Sequence, residues 1–193
     1  MDAGLAAVLG ATVGAAGTGG AGIVAALLAR SQARSQLQAE HARIIREPRR
    51  AAYAGFAEVA LKDHKQLSKA VNNLLVAAQT IPPHSREEFL TAAQQLYDSV
   101  QANENEQDHR FARVVVEGPQ RVTDGAVEFR GAFADFSGQV LVCLLQSGGN
   151  DSCPPEELAS LKEKRTVCYS SILRFLYSAQ RALGADGIDQ PLE

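Results

Sequence analysis

Residues 118–143, GPQRVTDGAVEFRGAFADFSGQVLVC, decide the fold class. Within them Val122, Ala126, Phe129, Phe133, Phe136, Val140 and Cys143 recur at alternating steps of four and three. That period stacks side chains on one face of an α-helix, whereas a half-buried strand would alternate at every second residue. Three phenylalanines on a single stripe mark this as the core helix. Gly118 breaks the preceding element, and Pro119 suits the first turn of a new helix, where its missing N–H leaves nothing unsatisfied.

The segments on either side have the same character. Downstream, Gly148-Gly149-Asn150 forms a loop, and Pro154-Pro155-Glu156-Glu157 opens a last helix that carries Leu158, Leu161, Cys168, Ile172, Phe175 and Ala179 on one face. It ends near Gly184, and residues 185–193 read as a flexible tail. Upstream, Tyr53, Ala57, Ala60, His64, Leu67, Val71, Leu74 and Ala78 define an amphipathic helix that stops before Ile81-Pro82-Pro83. Ser85 and Glu88 match a capping box ahead of Phe89, Ala93, Leu96, Tyr97 and Val100. The polar run 103–110 follows, and residues 111–116 read as a further helical stretch in preference to a short strand, because no partner strand is evident.

The fold class expected is all-α. An N-terminal transmembrane helix with a stalk precedes an up-down antiparallel four-helix bundle over residues 48–184, whose amphipathic helices bury their stripes against one another. The absence of Trp and the abundance of Ala agree with helices rather than a sandwich or barrel.

The anchor is residues 3–29, which hold no charge, Pro, Asn or Gln, with 17 Ala or Gly and eight Leu, Ile or Val among 27 positions. A helix of that length runs to about 40 Å, against roughly 30 Å of bilayer hydrocarbon. A cleaved secretory signal would need a basic start, whereas Met1 is followed by Asp2 and no Lys or Arg precedes Arg30. A buried Ala-rich helix or a low-complexity tail are the competing readings. Residues 30–47 form a polar helical stalk, and Pro48 stands where a helix would kink or restart.

Arg30, Arg34, Arg43, Arg46, Arg49 and Arg50 face only Glu40 and Glu47, so residues 30–50 carry 6 − 2 = +4. Residues 51–193 hold 13 basic and 19 acidic residues, a net of −6. Positive-inside orientation then puts the N-terminus outside and the C-terminal domain in the cytoplasm, with the arginines beside anionic headgroups. Confinement of basic charge to this segment argues against nucleic-acid binding, which needs a basic stripe on the folded part. Cys143, Cys153 and Cys168 are an odd number without CxxC spacing, so neither a disulfide framework nor a zinc knuckle is indicated, and reduced thiols are expected. With the topology reversed, Cys153 could pair with either of the others.

The remaining motifs are weak. Gly17, Gly19 and Gly22 spell GxGxxG, but the match lacks the strand and βαβ unit that dinucleotide binding requires. Gly10, Gly14, Thr18, Gly22 and Ala26 form a small-residue stripe through which two spans could approach as a homodimer. Glu106 and His109 form one ExxH, whereas a di-iron bundle needs two together with further inward Glu. His64, on an apolar stripe, reads as a core-edge histidine or a pH sensor. No catalytic, cofactor-binding or metal residue is nominated, no cofactor is expected, and the chain is read as a non-enzyme.

The stretch Arg46-Glu47-Pro48-Arg49-Arg50-Ala51-Ala52-Tyr53-Ala54-Gly55-Phe56, placed after a Gly/Ala-rich span, resembles uncharacterised actinobacterial single-pass membrane proteins. These combine a short anchor, an Arg/Gln-rich stalk and a cytoplasmic helical domain, and Gly118-Pro119 is a fainter match to them. The resemblance implies a membrane-anchored cytoplasmic bundle and brings no catalytic residues. The expected function is a scaffold or partner-binding protein, its partners the lipid bilayer, a cytoplasmic protein and a second copy through the span. A membrane-tethered signalling or stress-response module and a metal-binding bundle are the alternatives.

Overall fold

The computed structural model describes the backbone of residues 3–79, 83–148 and 153–185, and side chains at 29–37, 40, 43–79, 85–148 and 153–184. The helices are α1 (Ala3–Gln79), α2 (Pro83–Gln101), α3 (Glu104–Glu117), α4 (Gln120–Ser147) and α5 (Pro155–Ala185). The protein is all-α, and among the described residues there is no strand. Two compact units divide the chain, Met1–Ile45 and Arg46–Glu193.

The first unit is helical from Ala3, and every side chain described in it, from Ala29 onward, is exposed. The expected span and its small-residue stripe at Gly10, Gly14 and Gly22 have side chains outside the described residues. Among the described residues no helix is long and apolar enough to cross a membrane. Pro48, expected to kink or restart the chain, lies inside the α1 assignment.

The second unit is a helical bundle with one continuous core. Every position of the founding stripe, from Val122 to Cys143, is buried. Phe56 of α1 is the hub: its ring centroid lies 6.1 Å from Phe111 of α3, 5.7 Å from Phe129 of α4 and 5.0 Å from Phe175 of α5. The last two contacts are edge-on, the arrangement that aromatic quadrupoles favour. Contacts also give the helix directions. On α1, Tyr53 meets Phe175 and His64 meets Tyr169, so α1 and α5 run antiparallel. Asp63 meets Gln107 while Gln66 meets Ser99, so α1 opposes α2 and α3. Glu128 pairs with Arg174 and Gln139 with Lys164, so α4 opposes α5. At Gly125 the backbones of α4 and α5 come so close that an added Cβ would sit 3.3 Å from the Phe175 Cα.

Three boundaries differ from expectation. The polar run 103–110 joins residues 111–116 in one helix, α3, because Gln107, Phe111 and Val114 share its inner face while the charged residues face out. Asn103 restarts the helix there, its carbonyl accepting the Gln107 N–H at 3.0 Å, and Glu104 and Glu106 suit the positive end of the new helix dipole. α2 begins at Pro83, whose missing N–H suits a first turn, so Ser85 of the supposed capping box lies inside the helix. Pro119 is the residue before α4 rather than within its first turn, with φ −68° and ψ 158°.

Candidate functional site

The apolar stripe of α1 runs through Phe56, Ala60, Leu67 and Leu74 and is interrupted by one acid. Asp63, one position before the histidine singled out by its spacing, is 0% exposed. The Gln107 side-chain amide donates to its Oδ2 at 2.8 Å and the Asn103 amide to its Oδ1 at 3.2 Å. Both donors come from the α2–α3 elbow, so one carboxylate pins α1 to the place where α3 restarts. Burial pushes the Asp63 carboxyl above its ordinary range, and the two amides and nearby Lys62 only partly oppose this. Sequence spacing placed His64 on the apolar stripe, whereas the structure encloses Asp63 and leaves His64 half-buried. An acid amid Ala60 and Leu67 was the available signal for such a site, because a buried carboxylate must recruit donors.

His64 is half-buried, its ring 5.8 Å from that of Phe136 and 5.4 Å from that of Tyr169. Its Nε2–H donates to the Arg165 carbonyl at 3.3 Å. Burial lowers its pKa, outweighing that hydrogen bond, so the imidazole is neutral at neutral pH and resists protonation. Stability tied to this ring is lost as pH falls from the ordinary value of 6.5 toward the folded one.

Beside the elbow lies a cavity of about 290 Å³ between α2, α3 and α4. Gln107, Gln101, Ser137, Tyr97 and Glu104 supply its polar groups, and Phe133 and Val100 its apolar ones. Gln101 donates to Ser137 at 3.1 Å across it. At the rim Arg130 pairs with Asp108 at 2.5 Å and lies 4.6 Å above the Phe111 ring. Gln107 thus faces the cavity and also donates to Asp63. These groups can hold a polar ligand.

The ExxH residues lie on the outer face of α3. Glu106 is engaged by Arg110 at 2.6 Å, which holds its carboxyl below the usual range, and His109 is exposed. Among the described residues no cluster of three or more His, Cys, Asp or Glu could hold a metal.

The arginine flank divides in two. Arg30, Arg34, Arg43 and Arg50 are exposed. Arg46 and Arg49 are half-buried and act inside the second unit: Arg46 Nε donates to the Leu183 carbonyl at 2.9 Å and Arg49 Nε to the Glu117 carbonyl at 2.8 Å. Each guanidinium thereby satisfies a carbonyl at a helix C-terminus, where positive charge is favoured.

On the outside, Tyr169, Leu173 and Tyr177 recur every four residues along α5 at 46%, 48% and 61% exposure. The Tyr169–His64 contact puts this stripe beside α1, where Leu61, one turn before His64, is 40% exposed. Tyr177 borders a groove of about 430 Å³ with Pro119, Val122 and Ala182. Periodicity identified the buried faces of these helices, but it left the tyrosine stripe unremarked. No protein-family model, curated protein or solved structure matches the chain.

Proposed function

We propose that this chain is a membrane-anchored, non-enzymatic scaffold whose helical bundle docks a cytoplasmic protein partner. The observation that carries the reading is the exposed stripe Tyr169–Leu173–Tyr177 with Leu61 beside it. Large side chains exposed in series, opening into a groove, are how interaction surfaces differ from ordinary surface, and tyrosine is enriched at such interfaces. The partner presents a complementary apolar face to the α1–α5 seam.

The helix pairings support reading the second unit as an up-down four-helix bundle in which α2 and α3 together form one bent member. Anchoring rests on the uncharged residues 3–29, and orientation on the exposed arginines Arg30, Arg34, Arg43 and Arg50. Self-association of the span through Gly10, Gly14 and Gly22 belongs to the same proposal, as does kinship with the actinobacterial single-pass proteins.

The test uses the full-length tagged chain. Fractionation with protease accessibility from each side should find it in membranes with the bundle facing the cytoplasm. Affinity capture should recover one protein repeatedly, and Leu173→Glu with Tyr177→Glu should abolish recovery while the helical circular-dichroism spectrum stays unchanged. Recovery at background level, or equal recovery by the variant, overturns the reading.

A further inference from the structure

We propose that Cys143 and Cys153 are a disulfide-forming pair, a modification site at which a small disulfide oxidant of the glutathione class joins the C-terminal part of α4 to the segment leading into α5. The thiols approach from the two sides of the α4–α5 connection. Cys143 closes the core stripe of α4, and Cys153 lies two residues before α5 begins. Both are buried; Cys153 Sγ lies 3.7 Å from Oε1 of Gln146, one turn beyond Cys143 on α4, and the Cys143 thiol is hydrogen-bonded to that of Cys153. A disulfide needs an approach of this kind. Cys168 differs, since burial is the sole influence on its thiol.

The surroundings assign the roles. Burial raises both thiols above their ordinary value, Cys143 up to about 12, and the hydrogen bond between them adds to the rise at Cys143 while opposing it at Cys153. Cys153 is accordingly the first nucleophile and Cys143 the resolving thiol. In the first step the Cys153 thiolate attacks one sulfur of glutathione disulfide, so that the glutathione S–S bond breaks, a mixed disulfide forms and one glutathione thiolate leaves. In the second, the Cys143 thiolate attacks the Cys153 sulfur and expels the second glutathione thiolate. The chain gives up two protons and two electrons, and one glutathione disulfide becomes two glutathione thiols. The product ties the end of α4 to the start of α5 across the residues between them. Glu157 takes the Gln139 amide at 2.5 Å and Lys164 donates to Gln139 at 3.0 Å on the same two helices, so the bond would form where they are already cross-linked by polar contacts. The site requires neither a partner nor a bilayer, so it stands or falls apart from the scaffold reading.

The experiment incubates the purified full chain with oxidised glutathione, both folded and during refolding from urea, then unfolds it in acid, alkylates it and weighs it. The expected product in the refolding arm lacks two hydrogen atoms, carries a single alkylated cysteine and yields a peptide linking residues 143 and 153. Dithiothreitol reverses it, Cys168→Ser retains it, and its melting temperature is above that of the reduced chain. In the folded arm the same product forms more slowly, because burial of both thiols makes attack wait on local opening. Three alkylatable cysteines after oxidative refolding, a linkage through Cys168, or a glutathione adduct that persists on Cys153 would each overturn the proposal.

Discussion

Replacing Gln107 by methionine removes one donor from Asp63 while keeping the length of the side chain, so it tests what the buried carboxylate requires. Wild-type Asp63 accepts two amides in a site closed to water. A hydrogen bond to a charged group contributes about 1.5–3 kcal/mol, so Gln107→Met should destabilise the protein by roughly 2 kcal/mol once Asp63 is ionised. For a domain of this size that corresponds to a melting temperature lower by roughly 4–8 °C. The loss must depend on pH. Because the folded pKa of Asp63 is raised, its contribution to stability is full below the unfolded value of 3.8 and falls as pH rises through the folded value. Losing a donor raises the folded value further, so the variant goes on losing stability over a window in which the wild type has levelled off. The difference between the two is therefore small in acid, grows between the two folded pKa values and is constant above both. Urea unfolding of both full chains from pH 4 to pH 8, followed by circular dichroism, reads that difference directly, because every other carboxylate cancels. A loss of the same size at every pH would show that Gln107 matters through packing, and would refute the account of Asp63.

Phe56→Ala removes the ring shared by α3, α4 and α5 and should cost about 3–5 kcal/mol, read as the shift in urea midpoint. Gly125→Val forces α4 away from the Phe175 backbone and should destabilise by about 1–3 kcal/mol. By contrast Gly131→Ala, where an added Cβ meets nothing within 4 Å, should stabilise by about 0.5–1 kcal/mol, and thermal melts of the two variants should move in opposite directions. Arg46→Gln and Arg49→Gln should each lower stability by about 1 kcal/mol through the lost carbonyl contacts. Arg30→Gln and Arg34→Gln should leave melting unchanged, and in a peptide of residues 30–45 each should weaken binding to phosphatidylserine vesicles by about 1 kcal/mol.

The readings that held were periodic ones. The stripes of α4 and α5 could be followed residue by residue in the sequence, because a helix that buries one face must repeat apolar side chains at three and four, and the core contains those residues from Val122 to Cys143 and from Leu161 to Ala179. Chain breakers placed the start of α2 and the α3–α4 connection, where Pro83 and Gly118-Pro119 act on the local backbone, but Pro48 lies inside α1 and the α2–α3 connection holds neither Gly nor Pro. Where the reading stopped, the deciding interaction lay between residues far apart in sequence. Nothing in the run 103–110 announces that Gln107 turns inward, because its partner is an acid 44 positions earlier.

The amino-acid sequence by itself determined that the chain is helical, where most helices begin and end, and that its positive charge is concentrated before residue 51. Tertiary structure alone decided that Asp63 rather than His64 is enclosed, that Arg46 and Arg49 cap helix ends instead of joining the exposed flank, and that Cys143 meets Cys153. The physical reason is one of range. Helical period and breaker chemistry act within a few residues, whereas the burial of a charge, the capping of a distant carbonyl and the meeting of two thiols depend on how whole helices pack.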